Sequence, residues 1–491
     1  MLSFHPGEPL SFISGLFVFL FLLFLLFYPL AWRTSKRRVI ALLLFSLYFY
    51  YKIGGLFVVL LIVSTLVDFW LGQRIGRQAE LRSRRISLWA GIAANIAVLV
   101  FFKYSHLWTG FLNILKSSRP DIGALIVPVG ISFYTFQKIS YLVDVYRRKT
   151  PPAARAADLL LYVAFFPRVI AGPIVRANEF FPQLSQAPKY DRQDLGEALF
   201  LILTGLFKKA VIADYIGINF VNRVFVSPGL YSGLENLLAV YGYAIQIYCD
   251  FSGYTDIALG IGRLLGLRLP ANFRSPYRAT SITDFWRRWH ITLSTWLRDY
   301  LFLPLAYGLS RRIKADRWLR IKSEIWIYAS AAFLTWLVCG LWHGASWGFI
   351  VWGLLHGCAI TIEKILKIPQ KVSTTGLRRF GGRVASFHYV CLTWIFFRAE
   401  NLGSARLILK QIFFFFKVRL FPQFVSGYPL VFSLIVLGFV LHYFPDRGKN
   451  FLRRAVDRMP LPVKSLVLAA MIWLVIQVRS SAIQPFIYFK F

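Results

Sequence analysis

Long apolar blocks alternate with short basic loops along the chain. Residues Ile13 to Trp32 are twenty consecutive positions without a charge, enough for an α-helix to cross the hydrocarbon core of a bilayer. Similar blocks recur as far as a last one at 460–479. The pattern predicts an all-α, polytopic integral membrane protein with about 11 to 13 transmembrane helices. No Pro/Ser-rich linker divides the chain, so residues 1–491 are predicted to form one membrane domain.

The basic residues fall mainly into the loops between apolar blocks, and this predicts the topology. No Lys or Arg precedes the first block, whereas Arg33–Arg38 follows it, so we expect the N-terminus outside. The Arg447–Arg458 loop is then cytoplasmic, and the last span carries the C-terminus outside. Glu8 lies before the first block, Lys and Arg are missing there and no small-residue cleavage site follows, so we predict a retained span rather than a signal peptide.

The composition agrees with this prediction. Hydrophobic residues make up 57% of the chain and charged residues only 16%, and the formal net charge is +35. In a soluble protein such a charge would suggest nucleic acid. Here the excess of Lys and Arg in cytoplasmic loops explains it, so we predict no nucleic-acid partner.

One segment, Ser281–Leu303, is amphipathic rather than apolar. Ser281 and Asp284 have the spacing of a capping box at the start of a helix. Its charged residues are Asp284, Arg287, Arg288, Arg298 and Asp299. Five charges are too many for a lipid-facing span. We therefore expect one helix that lies at the membrane interface or re-enters the bundle and lines a wet cavity.

Two of the seven histidines are candidates for chemistry. His343 lies between two apolar blocks, where a titratable ring is costly and is a functional candidate by default. A histidine that bonds a neighbouring helix or caps a turn fits that position equally well. Gly340, Gly344 and Gly348 surround it at a spacing that lets helices approach closely or leaves room for a substrate.

His290 lies in the amphipathic segment, where it could hold a general base in place or bind substrate; an ordinary interfacial histidine is the alternative. His356 is thirteen residues after His343, on roughly the opposite side of a continuous helix, and is interpreted as structural. The remaining histidines are assigned to span ends, where polar-tipped rings are common: His5, His106, His388 and His442.

No cofactor or metal motif is found. The four cysteines lie in apolar blocks without metal-ligand spacing, so neither zinc nor a disulfide is expected. The stretch Gly344 to Gly348 fits a nucleophile-elbow pattern, but that pattern has meaning only between a strand and a helix.

Five stretches resemble the membrane-bound O-acyltransferase family, in its bacterial alginate O-acetyltransferase-like branch. They are VPVGISFYTFQKISYLVDVYR (127–147), FFPRVIAGPIVR (165–176), YCDFSGYTDIALGIG (248–262), SITDFWRRWHITLSTWLRDYLF (281–302) and GLWHGASWGFIVWGLLHG (340–357). They stand in the expected order over residues 127 to 357.

The resemblance implies a funnel-shaped helical fold with a tunnel from the cytoplasmic side. His343 matches the family's catalytic histidine, and His290 matches its second characteristic polar position. The implied donor is a cytosolic acyl thioester, acetyl-CoA, whose phosphates we expect to meet Arg287, Arg288 and Arg278, unless these arginines only anchor the cytoplasmic side.

Two further positions bear on the resemblance. Alginate-type members would have His where this chain has Arg168, which speaks against alginate itself as the acceptor. The C-terminal tail PFIYFKF, residues 485–491, resembles tails in which a tyrosine carries the acyl group as an ester. Tyr488 is the matching residue, and an ordinary aromatic interfacial tail is the alternative.

The resulting hypothesis is a multi-pass protein of the bacterial inner membrane that transfers acetyl from acetyl-CoA, through His343, His290 and Tyr488, to an extracytoplasmic SGNH-type transferase and then to a polysaccharide. The first alternative is D-alanyl transfer to teichoic acid. The second is a transporter of lipid-linked sugars, since broken helices near Gly340–Gly348 would suit a transporter too.

Overall fold

The computed structural model describes residues 10–105, 127–186, 192–313, 315–318, 321–368 and 376–478. His5, His106 and the predicted relay tail with Tyr488 lie outside these residues. In chain order the described helices are α1 Gly15–Phe27, α2 Ser35–Gly54, α3 Phe57–Arg77, α4 Leu81–Lys103, α5 Ile131–Tyr146, α6 Ala156–Ala164, α7 Ala177–Ser185, α8 Arg192–Leu206, α9 Asn222–Val226, α10 Gly233–Leu264, α11 Ile282–Trp286, α12 Ile291–Leu297, α13 Leu303–Arg312, α14 Ser323–His343, α15 Trp347–Ile365, α16 Gly376–Arg398, α17 Leu402–Phe414, α18 Phe421–Gly427, α19 Pro429–Tyr443, α20 Asp446–Arg458 and α21 Leu461–Val478.

Irregular helical turns and one short strand pair complete the secondary structure of these residues. Wider π-type turns follow α8 at Phe207–Asp214 and Gly217–Val221 and follow α12 at Arg298–Phe302. Tighter 3₁₀ turns lie at Tyr28–Arg33, Pro228–Leu230, Pro276–Arg278 and Val418–Leu420. Strands β1 Arg317–Trp318 and β2 Ile321–Lys322 pair antiparallel.

The prediction of an all-α, polytopic membrane protein is confirmed. Among the described residues, six helices are long and apolar enough to cross a bilayer: Gly15–Arg33, Phe57–Arg77, Leu81–Lys103, Ser323–His343, Trp347–Ile365 and Leu461–Val478. The pair Val418–Gly427 and Pro429–Tyr443, bent by 102°, would make a seventh. The expected total of about 11 to 13 spans stays a prediction, because a helix that is shorter or more polar than these six can also cross a bilayer.

The chain divides into two compact units, one of residues 1–198 and 257–270, the other of residues 199–256 and 271–491. The first unit packs aromatic rings of α1 and α2 around Phe166. It also buries an ion pair, in which Lys138 Nζ lies 3.1 Å from Asp68 and Asn95 donates to the same carboxylate. Charges at membrane depth are tolerated when they pair in this way.

Arg38 makes five hydrogen bonds within the first unit. Its guanidinium donates to the carbonyls of Gln183 and Gln186 near the end of α7, and to those of Leu265 and Gly266 just after α10. The remaining donor, Nε, meets the Tyr28 hydroxyl at 3.1 Å. Helix ends leave carbonyls without partners, and a planar fork of donors satisfies several at once.

Arg168, the departure from the alginate-type pattern, is fully buried in the first unit. Its guanidinium carbon lies 4.7 Å from the ring centroids of both Tyr162 and Phe180. Guanidinium groups stack favourably on aromatic faces. In this chain, Arg168 therefore packs against two aromatic rings.

The second unit contains all described candidate residues, and helices α14 and α15 form its tightest contact. A Cβ atom on Gly340 would overlap the carbonyl oxygen of Phe349, and one on Gly353 would overlap that of Trp336. On the other side of α15, a Cβ on Gly348 would overlap the carbonyl of Phe396. Small residues thus serve close helix packing here, the first of the two roles considered for this glycine spacing.

The amphipathic segment differs from the single helix expected over Ser281–Leu303. It forms two short helices, α11 and α12, separated at residues 287–290. The break occurs because His290 adopts left-handed backbone angles, φ 41° and ψ 54°, which end a right-handed helix. Ser281 does cap α11 by accepting from the Asp284 amide at 3.1 Å, but Asp284 accepts from Thr280 rather than from Ser281.

Candidate functional site

His343 is the last residue of α14. The helix stops there because Gly344 is extended, and Ser346 starts α15 by accepting a hydrogen bond from the amide of Gly348 at 3.2 Å. The supposed nucleophile-elbow serine is thus a helix cap. Residues 340–357 do not form one continuous helix, so the assumption that placed His356 opposite His343 was wrong.

Aromatic side chains surround the His343 ring. Trp342, Trp352 and Phe397 have ring centroids 4.8 to 5.0 Å from it. Phe349 lies at 6.0 Å, and the imidazole is almost fully buried. An aromatic wall of this kind keeps bulk water away. An imidazole in such a site can act as a base on a bound hydroxyl.

His356 has hydrogen bonds at both ring nitrogens. Trp286 Nε1 donates to Nδ1 at 3.2 Å, so the ring proton lies on Nε2 and points to Thr393 Oγ1 at 3.1 Å. That hydroxyl donates onward to the carbonyl of Val390. This geometry supports the structural role predicted for His356, which ties α11, α15 and α16 together.

His290 sits at the break between α11 and α12, in contact with Asn272. Its Nδ1 lies 3.1 Å from Asn272 Oδ1. The ring meets Phe251 edge-on with centroids 4.7 Å apart and is fully buried. The segment therefore places His290 inside the second unit, rather than on an interfacial surface as the alternative interpretation had it.

A row of aromatic rings joins the two histidines. Trp289, next to His290, lies 5.2 Å from Trp394, and Trp394 lies 5.3 Å from Phe397. Phe397 in turn contacts His343. The two candidate residues thus belong to one buried region, separated by aromatic side chains.

Arg278 and Arg288 belong to one group of cations, here called the basic cluster, with Arg379, Arg383 and Lys449. Burial, and next the charge of Arg379, lower the pKa of Arg383, and Arg278 and Arg288 add to this effect. Burial and the Arg278 guanidinium lower the pKa of Lys449. Two carboxylates balance part of this charge: Asp284 pairs with Arg288 at 2.8 Å, and Asp446 lies 3.6 Å from Arg278. Crowded cations of this kind favour a polyanionic ligand.

Arg287 lies elsewhere, on the wall of a groove of about 520 Å³. Two further cations line this groove, Arg298 and Lys364, which are paired with Asp299 and Glu324. Its apolar wall includes Trp286 and Trp336. The structure therefore places the three arginines that were expected to act together on two separate basic surfaces.

Several features of this region had no recognised sequence signal. Asn272 lies in an unremarkable loop, and Trp394 and Phe397 belong to an apolar block. The acids of the YCDFSGYTD stretch have partners in the π-type turn after α8, where Lys209 pairs with Asp250 and Lys208 lies 2.6 Å from Asp256. A double lysine before an apolar run could have suggested such buried pairs. Within the described ranges, no group of three or more His, Cys, Asp or Glu could hold a metal ion.

Comparison with known proteins agrees with this picture. The sequence model of the membrane-bound O-acyltransferase family matches residues 154–398, which include His290 and His343. The chain is 36% identical over 397 residues to a peptidoglycan O-acetyltransferase of Helicobacter pylori, covering 75% of this chain and 72% of that protein. It is 32% identical over 510 residues to a probable alginate O-acetylase of Pseudomonas putida, covering 98% of this chain and the whole of that protein.

A more distant relative is named for the transfer of a different acyl group, D-alanyl. The chain is 27% identical over 380 residues to a teichoic acid D-alanyltransferase of Bacillus subtilis, covering 74% of this chain and 91% of that protein. The similarity to alginate O-acetylases spans nearly the full length of the chain. The chain therefore belongs to the membrane-bound O-acyltransferase family, in its alginate O-acetylase-like branch.

Proposed function

We propose that this protein transfers acetyl groups from cytosolic acetyl-CoA, across the bacterial inner membrane, for O-acetylation of a cell-envelope polysaccharide. The single observation that carries the proposal is the position of His343, a buried imidazole at a helix break within an aromatic wall. Relatives named for O-acetylation of peptidoglycan and alginate support the acyl group and the acceptor class.

The proposed first step is attack of the Tyr488 hydroxyl on the thioester carbonyl. The C–O bond of an acetyl-tyrosine ester forms, the C–S bond breaks, and His343 takes the hydroxyl proton and passes it to the leaving thiolate. The aromatic surroundings of His343 exclude water that would hydrolyse the ester. His290 assists by holding a reacting group through its own imidazole.

The second step takes place outside the membrane, where we expect both chain termini. An SGNH-type transferase accepts the acetyl group from Tyr488 and delivers it to a polysaccharide hydroxyl, which regenerates the tyrosine. The N-terminus outside and the last span outward are the topology predicted from the basic loops. This arrangement brings the relay tail to the side where the acceptor is.

A trapping experiment tests this proposal. We expect purified protein incubated with radiolabelled acetyl-CoA to acquire label on the C-terminal peptide, and Tyr488→Phe to lose it because the phenol that forms the ester is gone. Peptide mass spectrometry maps the label, and acetyl-CoA binding to the variant provides the control. Absence of label in folded wild-type protein that binds acetyl-CoA would contradict the tyrosine relay.

The donor's phosphates are assigned to Arg278, Arg288 and Arg287. We expect Arg288→Ala and Arg287→Ala each to raise the KM for acetyl-CoA by about 10-fold, the effect of losing one charge-assisted contact of roughly 1.4 kcal/mol. Because these residues lie on two surfaces, a raised KM in both variants would show that the donor contacts both surfaces.

Arg311→Ala is the matched control for these arginine variants, because Arg311 lies at the exposed end of α13, outside both surfaces. Acetyl-dephospho-CoA should not distinguish Arg288→Ala from wild type if Arg288 binds the removed phosphate. An unchanged KM in all three variants, Arg278→Ala included, would contradict the assignment.

Two other functions give different results in the same assay. D-alanyl transfer, suggested by the relative from Bacillus subtilis, would require a D-alanyl thioester on a carrier protein, so acetyl-CoA would leave no label. A transporter of lipid-linked sugars would neither bind acetyl-CoA nor form a covalent intermediate.

A further inference from the structure

We propose that Asn272 is a positioning residue that fixes the ring proton of His290 on Nδ1 and thereby presents Nε2 to the substrate as the acceptor. The inference deepens the proposed function and rests on it for its catalytic consequence. The position of the His290 ring proton itself is inferred only from the contacts of Asn272.

The orientation of the Asn272 amide follows from its neighbours. The backbone amide of Thr292 donates to Oδ1 at 3.2 Å, and the hydroxyl of the same residue donates at 2.9 Å. A flipped amide would set an NH₂ group against the backbone N–H of Thr292, with two donors facing each other. The atom next to His290 is therefore the amide oxygen.

An amide oxygen only accepts, so the ring nitrogen 3.1 Å away must donate. The proton of the neutral imidazole then resides on Nδ1, and Nε2 carries the lone pair. Neutral imidazole has one donor and one acceptor nitrogen, and the bond made by one nitrogen decides the role of the other. Nε2 is thus the atom of His290 that can accept a hydrogen bond from a reacting hydroxyl.

Asn272 also holds the backbone on which the ring is mounted. Its carbonyl accepts from the amide of Ile291 at 3.0 Å, immediately after the left-handed residue. His290 has a positive φ, and a non-glycine residue keeps such a strained conformation only where the surroundings enforce it. The edge-on contact with Phe251 further restricts ring rotation. Asn272 therefore sets the backbone position and the tautomer of His290, and Phe251 restricts the angle of its ring.

The first test observes the proton directly and needs no activity. Protein labelled with ¹⁵N-histidine is measured by NMR, and the His290 signals are identified by their loss in His290→Ala. We expect the Nδ1–H tautomer in the wild type and in Asn272→Asp, which keeps an acceptor oxygen. Protonation of Nε2 with an unprotonated Nδ1 in the wild type would overturn the proposal.

The second test is a double-mutant cycle on acetyl transfer. Asn272→Leu, of similar size but without an acceptor, is expected to lower kcat by about 10- to 100-fold with little change in KM, the usual effect of losing a partner that orients a functional histidine. In the His290→Ala background the same substitution should have no further effect, because the positioned ring is gone. Additive losses would identify a merely structural role and overturn the inference.

The variants separate this inference from the proposed function. Asn272→Asp should retain most activity, which makes the cycle informative even if Asn272→Leu fails to fold. Thr292→Val is the matched control, since it removes a different donor to the same oxygen and should keep the Nδ1–H tautomer. The expected tautomer in a protein without acetyltransferase activity would uphold the placement of the proton while rejecting the proposed reaction.

Discussion

His343→Ala is expected to reduce acetyl transfer by about 10²- to 10⁴-fold while the protein stays folded and inserted. The imidazole is the group proposed to take the proton of the attacking hydroxyl, and alanine offers no acceptor. The ring contributes aromatic packing with Trp352 and Phe397, but the neighbouring rings also contact one another and preserve the wall. Acetylated polysaccharide in cells and label on the C-terminal peptide in vitro are the two measurements.

His388→Ala is the matched control for this variant. The ring of His388 forms hydrogen bonds with the hydroxyl of Tyr241 and the carbonyl of Val384, and it lies on the exposed part of α16. We expect its loss to leave transfer unchanged within about 2-fold, as for most surface substitutions. Normal polysaccharide acetylation by folded His343→Ala protein would contradict the proposed function.

Gly340→Ala is expected to cause a large loss of stability. The added methyl would overlap the backbone carbonyl of Phe349, which cannot move without displacing α15. Overpacking of a close-packed interior costs about 1 to 3 kcal/mol and occasionally more. We expect a lower Tm in detergent and a smaller monodisperse fraction in size-exclusion chromatography.

Gly381→Ala is the matched control, and we expect it to leave stability unchanged or to increase it. Gly381 lies inside α16, and no heavy atom of the described residues lies within 4 Å of an added Cβ. Glycine inside a helix is about 0.5 to 1 kcal/mol less favourable than alanine, so this variant should be equally or more stable. Equal Tm values for the two alanine variants would show that α14 and α15 do not approach as closely as described.

The membrane class could be predicted, and His343 could be singled out as a candidate, because both depend on long or distinctive stretches of sequence. Twenty uncharged residues in a row have few other structural outcomes. His343 stood out as a titratable ring between apolar blocks, and a resemblance over five ordered stretches added the family. The break after His343 was harder to predict, since Gly344 to Ser346 could continue or end a helix with similar ease.

The neighbourhood of His290 could not be predicted from local sequence. Its left-handed conformation is one that histidine rarely adopts, and the residue that stabilises it, Asn272, lies eighteen positions earlier. The same break also sends two consecutive residues, Arg287 and Arg288, to different surfaces. A continuous helix was expected to present both arginines to the same donor, whereas the folded segment places them on two surfaces.

Arg38 has a consequence for how the protein is made. Its guanidinium binds carbonyls of Leu265 and Gly266, which are 227 and 228 residues further along the chain. Ribosomes add about 5 to 20 residues per second, so these acceptors emerge roughly 10 to 50 seconds after Arg38 itself. During that interval two of the carbonyls that accept hydrogen bonds from Arg38 are missing. The first unit therefore cannot complete its folding until residues 257–270 have been translated, which is after more than half of the chain has been made.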